Sequence, residues 1–178
     1  MNKIIQVFDK KFELYIPHKE IIESINRIAE AINNEYKDDD PLFLGVLNGS
    51  FIFAAELYQR ISIASNISFV KVSSYSGTKS TEHIKQLIGF DIPVENRRII
   101  ILEDIIDSGL TMKHVLNQLS GMRVKDVKIA TLLFKPESFK ENYNIDYIGK
   151  SIPNDFILGF GLDYDGYGRN YEDIYKII

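Results

Sequence analysis

The stretch EDIIDSGLT, residues 103–111, packs carboxylates, hydroxyls and a glycine into one short run. Glu103 and Asp104 follow directly on the apolar residues 99–102. A charge taken out of water is costly unless something pairs it, so acids at the end of an apolar run either face water or meet a ligand. Asp107, Ser108, Gly109, Leu110 and Thr111 read as an anion loop. Consecutive backbone N–H groups form a nest, the Ser108 and Thr111 hydroxyls can donate, Gly109 permits the turn, and a following helix adds partial positive charge. Glu103 and Asp104 would repel a phosphate, but they can accept from vicinal hydroxyls or hold Mg²⁺. Together the two halves describe a ribose-5-phosphate site. On spacing alone this reading and a plain strand–turn–helix stand level.

Strands and helices must position that loop. Residues 3–8 and 12–16 alternate weakly and predict short edge strands. Pro17 to Tyr36 predicts a helix, with proline in its first turn and Ile21, Ile25, Ile28 and Ile32 on one face. The acidic stretch 37–41 predicts a solvated loop. LFLGVL (42–47) and residues 67–72, 99–102 and 127–134 predict apolar strands. Phe53, Ala54, Leu57 and Ile61 mark one intervening helix. Met112, Val115, Leu116 and Leu119 mark another, with Gly121 closing it. Residues 76–86 predict a long polar loop and 86–90 a strand. Residues 145–148, 156–160 and 174–178 predict short strands. Apolar strands alternating with helices argue for an α/β fold with a parallel sheet covered on both faces. Such sheets bind ligands at the carboxyl ends of their strands. Asn48-Gly49, Ser74-Tyr75, Glu103-Asp104 and Lys135 all stand at such ends.

The chain has 178 residues, 45% apolar and 26% charged, enough for one domain with a sizeable core. A net charge of −4 gives no general attraction to nucleic acid or to an anionic membrane. The absence of cysteine excludes disulfides, thiolate metal sites and a cysteine nucleophile. No run approaches the ~18 apolar residues of a membrane span. The start, MNKIIQVFDK, lacks a signal-peptide core, so a cytoplasmic protein is expected. His18, His83 and His114 show no metal spacing. Neither a GxxxxGK[ST] loop nor a convincing GxGxxG is present.

ILEDIIDSGLT resembles the phosphoribosyl pyrophosphate (PRPP) loop of type I phosphoribosyltransferases. The chain is more narrowly similar to the hypoxanthine-guanine phosphoribosyltransferases, and the likeness runs over nearly its whole length. VLNGS (46–50) resembles that family's pyrophosphate loop, SSYSGTKST (73–81) its lid, LLFKPES (132–138) its purine-contacting lysine segment, and DFILGFGLDYDGYGRN (155–170) its purine-stacking and metal segment.

The resemblance implies one phosphoribosyltransferase domain over 1–178. Its core would span about 17–135, with a small hood from about 1–16 and 136–178. It implies transfer of the 5-phosphoribosyl group from PRPP to hypoxanthine or guanine, with xanthine a further candidate, in purine salvage with Mg²⁺. Asp107 would be the general base. Glu103 and Asp104 would hold the ribose hydroxyls and metal shell, and 107–111 the 5-phosphate. Lys135, Phe156 and the backbone at Ile157 would bind the purine. Asn48, Gly49 and Arg169 would bind pyrophosphate, Asp163 would bind Mg²⁺, and Ser74 and Tyr75 would cover the ribose. A homodimer or homotetramer is implied. Taken singly, Lys135 is an ordinary strand-end lysine, Phe156 a core residue, Asp163 a turn residue and Arg169 a surface ion pair worth ~0–1 kcal/mol. Their order together favours function.

Two positions depart from the family pattern. Asn48 stands where lysine is common, which removes a cation from the pyrophosphate loop. Glu82 stands where the lid commonly has glycine. A cis peptide at Leu47–Asn48 is expected from the resemblance. The rival readings are a phosphoribosyltransferase for another base, a non-catalytic PRPP sensor, and a structural domain with a vestigial loop. The net charge and the missing helix-turn-helix segment count against a nucleic-acid-binding sensor.

Overall fold

The computed structural model describes residues 3–74, 84–88 and 92–178. In chain order the elements are β1 (Ile4–Val7), β2 (Lys10–Ile16), α1 (His18–Glu35), β3 (Leu42–Leu47), α2 (Phe51–Tyr58), β4 (Asn66–Ser74), β5 (Ile84–Ile88), β6 (Arg98–Ile106), α3 (Leu110–Ser120), β7 (Asp126–Phe134), β8 (Tyr147–Ser151), β9 (Ile157–Leu158) and β10 (Ile174–Ile177). The main sheet has the order β5-β4-β3-β6-β7-β8. Its neighbours are parallel except for β5, which runs antiparallel to β4. Parallel strands put the ends of β3, β4, β6 and β7 on one rim, as the sequence predicts.

Both faces of this sheet are covered. Ile21, Ile25 and Ile28 of α1 and Phe53 and Leu57 of α2 pack with Ile100 and Leu102 on one side. Met112, Val115 and Leu119 of α3 pack with Ile99 and Ile101 on the other. Each fully buried isoleucine or leucine adds about 1.5–3 kcal/mol. Successive strand residues face opposite ways, so the unbroken apolar run in β6 feeds both layers.

Three local differences from the sequence reading have physical causes. First, β6 does not stop at Leu102 but continues through both acids to Ile106, with Glu103 paired to Thr131 and Ile106 to Phe134. Ladder pairing with β7 keeps those residues extended despite their acidity. Second, β5 begins at Ile84, inside what reads as a loop, because Ser74 and Ile84 pair across an antiparallel ladder. Third, residues 147–151 join the main sheet as its edge strand beside β7.

The hood is an antiparallel sheet of order β1-β2-β10-β9, formed from the N- and C-terminal segments. Asp173 ties it to the core. Its Oδ1 accepts from the His18 backbone N–H at 2.9 Å, satisfying a first-turn donor of α1. Its Oδ2 accepts from Lys3 Nζ at 2.9 Å and from the Tyr175 hydroxyl at 3.1 Å.

Candidate active site

The anion loop sits where β6 ends and α3 begins. Gly109 caps the helix at φ +88°, a region that side chains rarely adopt. The space around it is closed as well. A Cβ there would lie 2.7 Å from Tyr143 Oη and 2.8 Å from Phe139 Cε2. Tyr143 donates to the Gly109 carbonyl at 2.9 Å and holds the loop from behind. The first turn of α3 carries no acidic residue, so its free N–H groups and partial positive charge are unopposed. Residues 105–112 and Glu103 line a cavity of about 90 Å³ at this point. Ser108, Gly109, Leu110 and Thr111 are all in that lining.

Glu103 and Asp104 are buried, at 9% and 7% exposure. Burial pushes both carboxyls up. Glu103 stands well above the ordinary range, with the neighbouring Asp104 adding to the effect. Asp104 reaches about 6, because burial outweighs its hydrogen bond from the Ile105 N–H and the attraction of Arg169. Glu103 Oε2 has no hydrogen-bond partner. An orphaned buried acceptor costs about 1–3 kcal/mol, a cost that a ligand hydroxyl or a hydrated cation would offset.

The turn between β3 and α2 packs against Asp104. A Cβ on Gly49 would lie 1.8 Å from Asp104 Oδ2, so only glycine fits there without moving the acid. The Leu47–Asn48 peptide is cis, as the resemblance implies. Asn48 itself is exposed. From the hood side, Arg169 Nη2 pairs with Asp163 Oδ1 at 2.6 Å, and Asp163 Oδ2 accepts from the Gly166 N–H at 2.6 Å. Arg169 also donates to the Gly161 carbonyl.

At the far end of β6, Asp107 reaches across to the end of β7. Lys135 Nζ lies 2.8 Å from Asp107 Oδ2. The lysine is buried while the aspartate side chain is half exposed. Partial burial pushes the Asp107 carboxyl up, but the Lys135 ammonium and the Ser138 hydroxyl outweigh it and hold it below its ordinary value. Ile157 is buried in β9, and Phe156 beside it is 45% exposed. Ser74 is the last residue of β4, and Tyr75 lies outside the described residues, as does Glu82.

The structure thus gathers Glu103, Asp104 and residues 107–111, with Gly49 packed on Asp104, and it pairs Asp107 with Lys135 and Asp163 with Arg169. Sequence reasoning missed Ser138 and Tyr143. Ser138 lies within LLFKPES but carried no distinguishing signal. Tyr143 acts through a contact across 34 positions that no local pattern reveals.

A metal fits this acid set only in one way. Among the described residues no three or more His, Cys, Asp or Glu side chains gather into a cage. The orphaned Glu103 oxygen, Asp104 and Asp163 suit a hard cation held mainly by substrate oxygens and water, the habit of Mg²⁺.

A largely parallel sheet with an anion loop after a central strand, joined to a small antiparallel sheet built from both chain ends, is the layout of a phosphoribosyltransferase. The phosphoribosyl transferase domain model matches residues 14–165. The hypoxanthine-guanine phosphoribosyltransferase of Lactococcus lactis is 44% identical over 164 residues, covering 91% of this chain and 89% of that protein. Its counterpart from Bacillus subtilis is 37% identical, covering 89% and 88%. The crystal structure of a hypoxanthine phosphoribosyltransferase from Staphylococcus aureus superposes with a TM-score of 0.88 at 32% identity, covering 93% of this chain and 91% of that one. The chain belongs to the hypoxanthine-guanine phosphoribosyltransferase family.

Proposed function

We propose that the protein is a purine-salvage enzyme that joins hypoxanthine or guanine to PRPP, giving the nucleoside 5′-monophosphate and pyrophosphate. The observation that carries this reading is the Lys135–Asp107 pair at 2.8 Å, standing beside the anion loop. A 6-oxopurine offers a carbonyl oxygen and a ring N–H on one edge. An ammonium and a carboxylate side by side match that edge, donor to acceptor and acceptor to donor.

In the reaction the bond from ribose C1′ to the pyrophosphate oxygen breaks and a bond from C1′ to a purine nitrogen forms. The ring proton goes to Asp107 as general base. Its lowered pKa keeps it ionised at neutral pH, although it makes it a weak base. Residues 107–111 hold the 5-phosphate through loop amides and hydroxyls. Glu103 and Asp104 accept from the ribose hydroxyls. Lys135 donates to the purine oxygen, Phe156 stacks on the ring and the Ile157 backbone reads its edge. Gly49 lets the 48–49 turn approach the pyrophosphate, and Asn48 contributes an amide where the family pattern has a cation. Arg169 binds pyrophosphate oxygens. The resemblance assigns Ser74 and Tyr75 to cover of the ribose, and Tyr75 lies outside the described residues.

Asp163, with Glu103 and Asp104, would hold Mg²⁺, which supplies charge neutralisation on the leaving pyrophosphate. One domain over 1–178, with the hood closing the base side, a homodimer or homotetramer, and a cytoplasmic setting complete the proposal. Among the described residues no helix is long and apolar enough to cross a membrane.

The test is pyrophosphate release from PRPP and Mg²⁺ with hypoxanthine, guanine, xanthine and adenine in separate reactions, with Asp107→Asn alongside. Turnover of a 6-oxopurine that falls ~10²–10⁴-fold in the variant supports the reading. PRPP binding without turnover of any base would favour a sensor instead.

A further inference from the structure

Aromatic rings form a continuous set from the β1–β2 turn to the purine segment. The ring of Tyr164 stands edge-on to Phe156, at 5.8 Å and 87°. Phe12, fully buried, backs both rings at 6.3 Å. Phe8 meets Tyr164 at 6.0 Å and Tyr167 at 4.7 Å, both edge-to-face.

Tyr164 is itself held from several sides. Its hydroxyl donates to Asp9 Oδ1 at 2.9 Å, and Lys10 Nζ lies 5.0 Å from its ring centre. Its backbone exchanges hydrogen bonds with Tyr167 at 2.9 and 3.0 Å. The Phe156 backbone is fixed separately, because its carbonyl accepts from the Ile177 N–H at 3.0 Å. The Phe156 ring itself is bordered by Tyr164, edge-on at 5.8 Å, and by Phe12 at 6.3 Å.

We propose that Tyr164, braced by Asp9 of the β1–β2 turn and Lys10 at the start of β2, is a positioning residue that sets the plane of Phe156 for stacking on the purine. This rests on the salvage reading above. Ring stacking depends on geometry, so a Phe156 ring that swings free offers the purine an edge for part of the time. The adjacent Asp163 is held by Arg169 and Gly166, not by the Tyr164 side chain. Loss of the Tyr164 ring should therefore weaken purine binding and leave the pyrophosphate end alone.

The experiment compares wild type, Tyr164→Leu and Tyr164→Phe. KM is measured separately for hypoxanthine and for PRPP, and calorimetry follows binding of inosine 5′-monophosphate. Tyr164→Leu should raise the purine KM and the nucleotide Kd roughly three- to tenfold, with PRPP KM and kcat within about twofold. Tyr164→Phe keeps the ring and should restore most of the purine affinity. An unchanged purine KM in Tyr164→Leu, or an equal rise for purine and PRPP, overturns the proposal. If Tyr164→Leu does not fold, Asp9→Ala removes the acceptor of the Tyr164 hydroxyl and should give a smaller rise in the purine KM alone; no rise overturns the proposal. A wild type that turns over no base defeats the salvage reading separately. The calorimetry then decides the positioning role: weaker nucleotide binding in Tyr164→Leu supports it, and equal binding, or none by the wild type, overturns it.

Discussion

Lys135 Nζ lies 2.8 Å from Asp107 Oδ2, so the cation proposed to meet the purine oxygen and the carboxylate proposed to take its proton hold one another directly. They come from neighbouring strands, where Ile106 pairs with Phe134 in the ladder and each side chain follows one residue beyond. The pair matches an edge that carries a carbonyl beside a ring N–H, and its electrostatics would tune the proposed base.

Replacing the lysine tests that tuning. The Asp107 carboxyl lies below its ordinary value only because Lys135 and Ser138 outweigh burial, which acts upward. In Lys135→Met the burial effect gains the upper hand, so the carboxyl pKa rises. The acid limb of kcat/KM should move to higher pH, and the plateau should drop by about 10²-fold from the lost contact to the purine. A pH–rate profile from pH 4 to 9 reads both. An unmoved acid limb would separate Asp107 from the titration that governs activity.

Adenine should be a poor substrate. Its amino group at C6 is a donor, and the Lys135 ammonium has donors and no acceptor. Facing two donors leaves buried polar groups unpaired, which commonly discriminates by ~10⁴-fold. Competition kinetics with hypoxanthine and adenine give the ratio directly. A ratio near unity would remove Lys135 from base recognition.

Asp104 makes the site costly in its charged form. Its pKa in the fold is about 6 against an ordinary 3.8. A raised pKa means that the stability it allows is fully present below about pH 4 and is lost as pH rises through about 6. The gap corresponds to at most about 3 kcal/mol. Asp104→Asn keeps an oxygen for the Ile105 N–H and should melt higher than wild type at pH 8, with the two converging toward pH 4. PRPP affinity should fall in the same variant. Melting scans across pH check the first part, and a lower melting temperature at pH 8 would contradict it.

Two glycine substitutions should fail differently. Gly109→Ala meets both a positive φ and the Tyr143 and Phe139 rings, so it should cost about 1–3 kcal/mol of stability and weaken PRPP binding. Gly49 does not adopt a positive φ, and its added methyl meets Asp104. Gly49→Ala should therefore act mainly by displacing that acid, with a loss of kcat/KM for PRPP on the order of 10²-fold. Melting temperatures and PRPP kinetics of the two variants, measured side by side, test the contrast.

The proposed ribose-phosphate half of the site is legible in sequence because 103–111 are contiguous, and loop chemistry depends on local backbone. The parallel sheet is legible because its strands are apolar on both faces. The extent of β6 is not, since acids read as strand ends while ladder pairing with β7 carries the strand past them. Nor is the Lys135–Asp107 pair, which joins positions 28 residues apart through strand register. The hood order, with β2 between β1 and β10, depends on a pairing of the two ends of the chain that no local pattern encodes.

One continuous loop is proposed to read the phosphorylated sugar, while the residues proposed to meet the nucleobase come from two distant segments, Lys135 just after β7 and Phe156 with Ile157 at β9. The two halves are therefore open to change by different routes. An insertion within 103–111 would displace the proposed sugar and phosphate contacts of that loop together. The base side can be edited one side chain at a time, or replaced with the hood, while the loop stays as it is. A lineage built on this scaffold can diverge in nucleobase choice and keep a single inherited grip on the activated sugar.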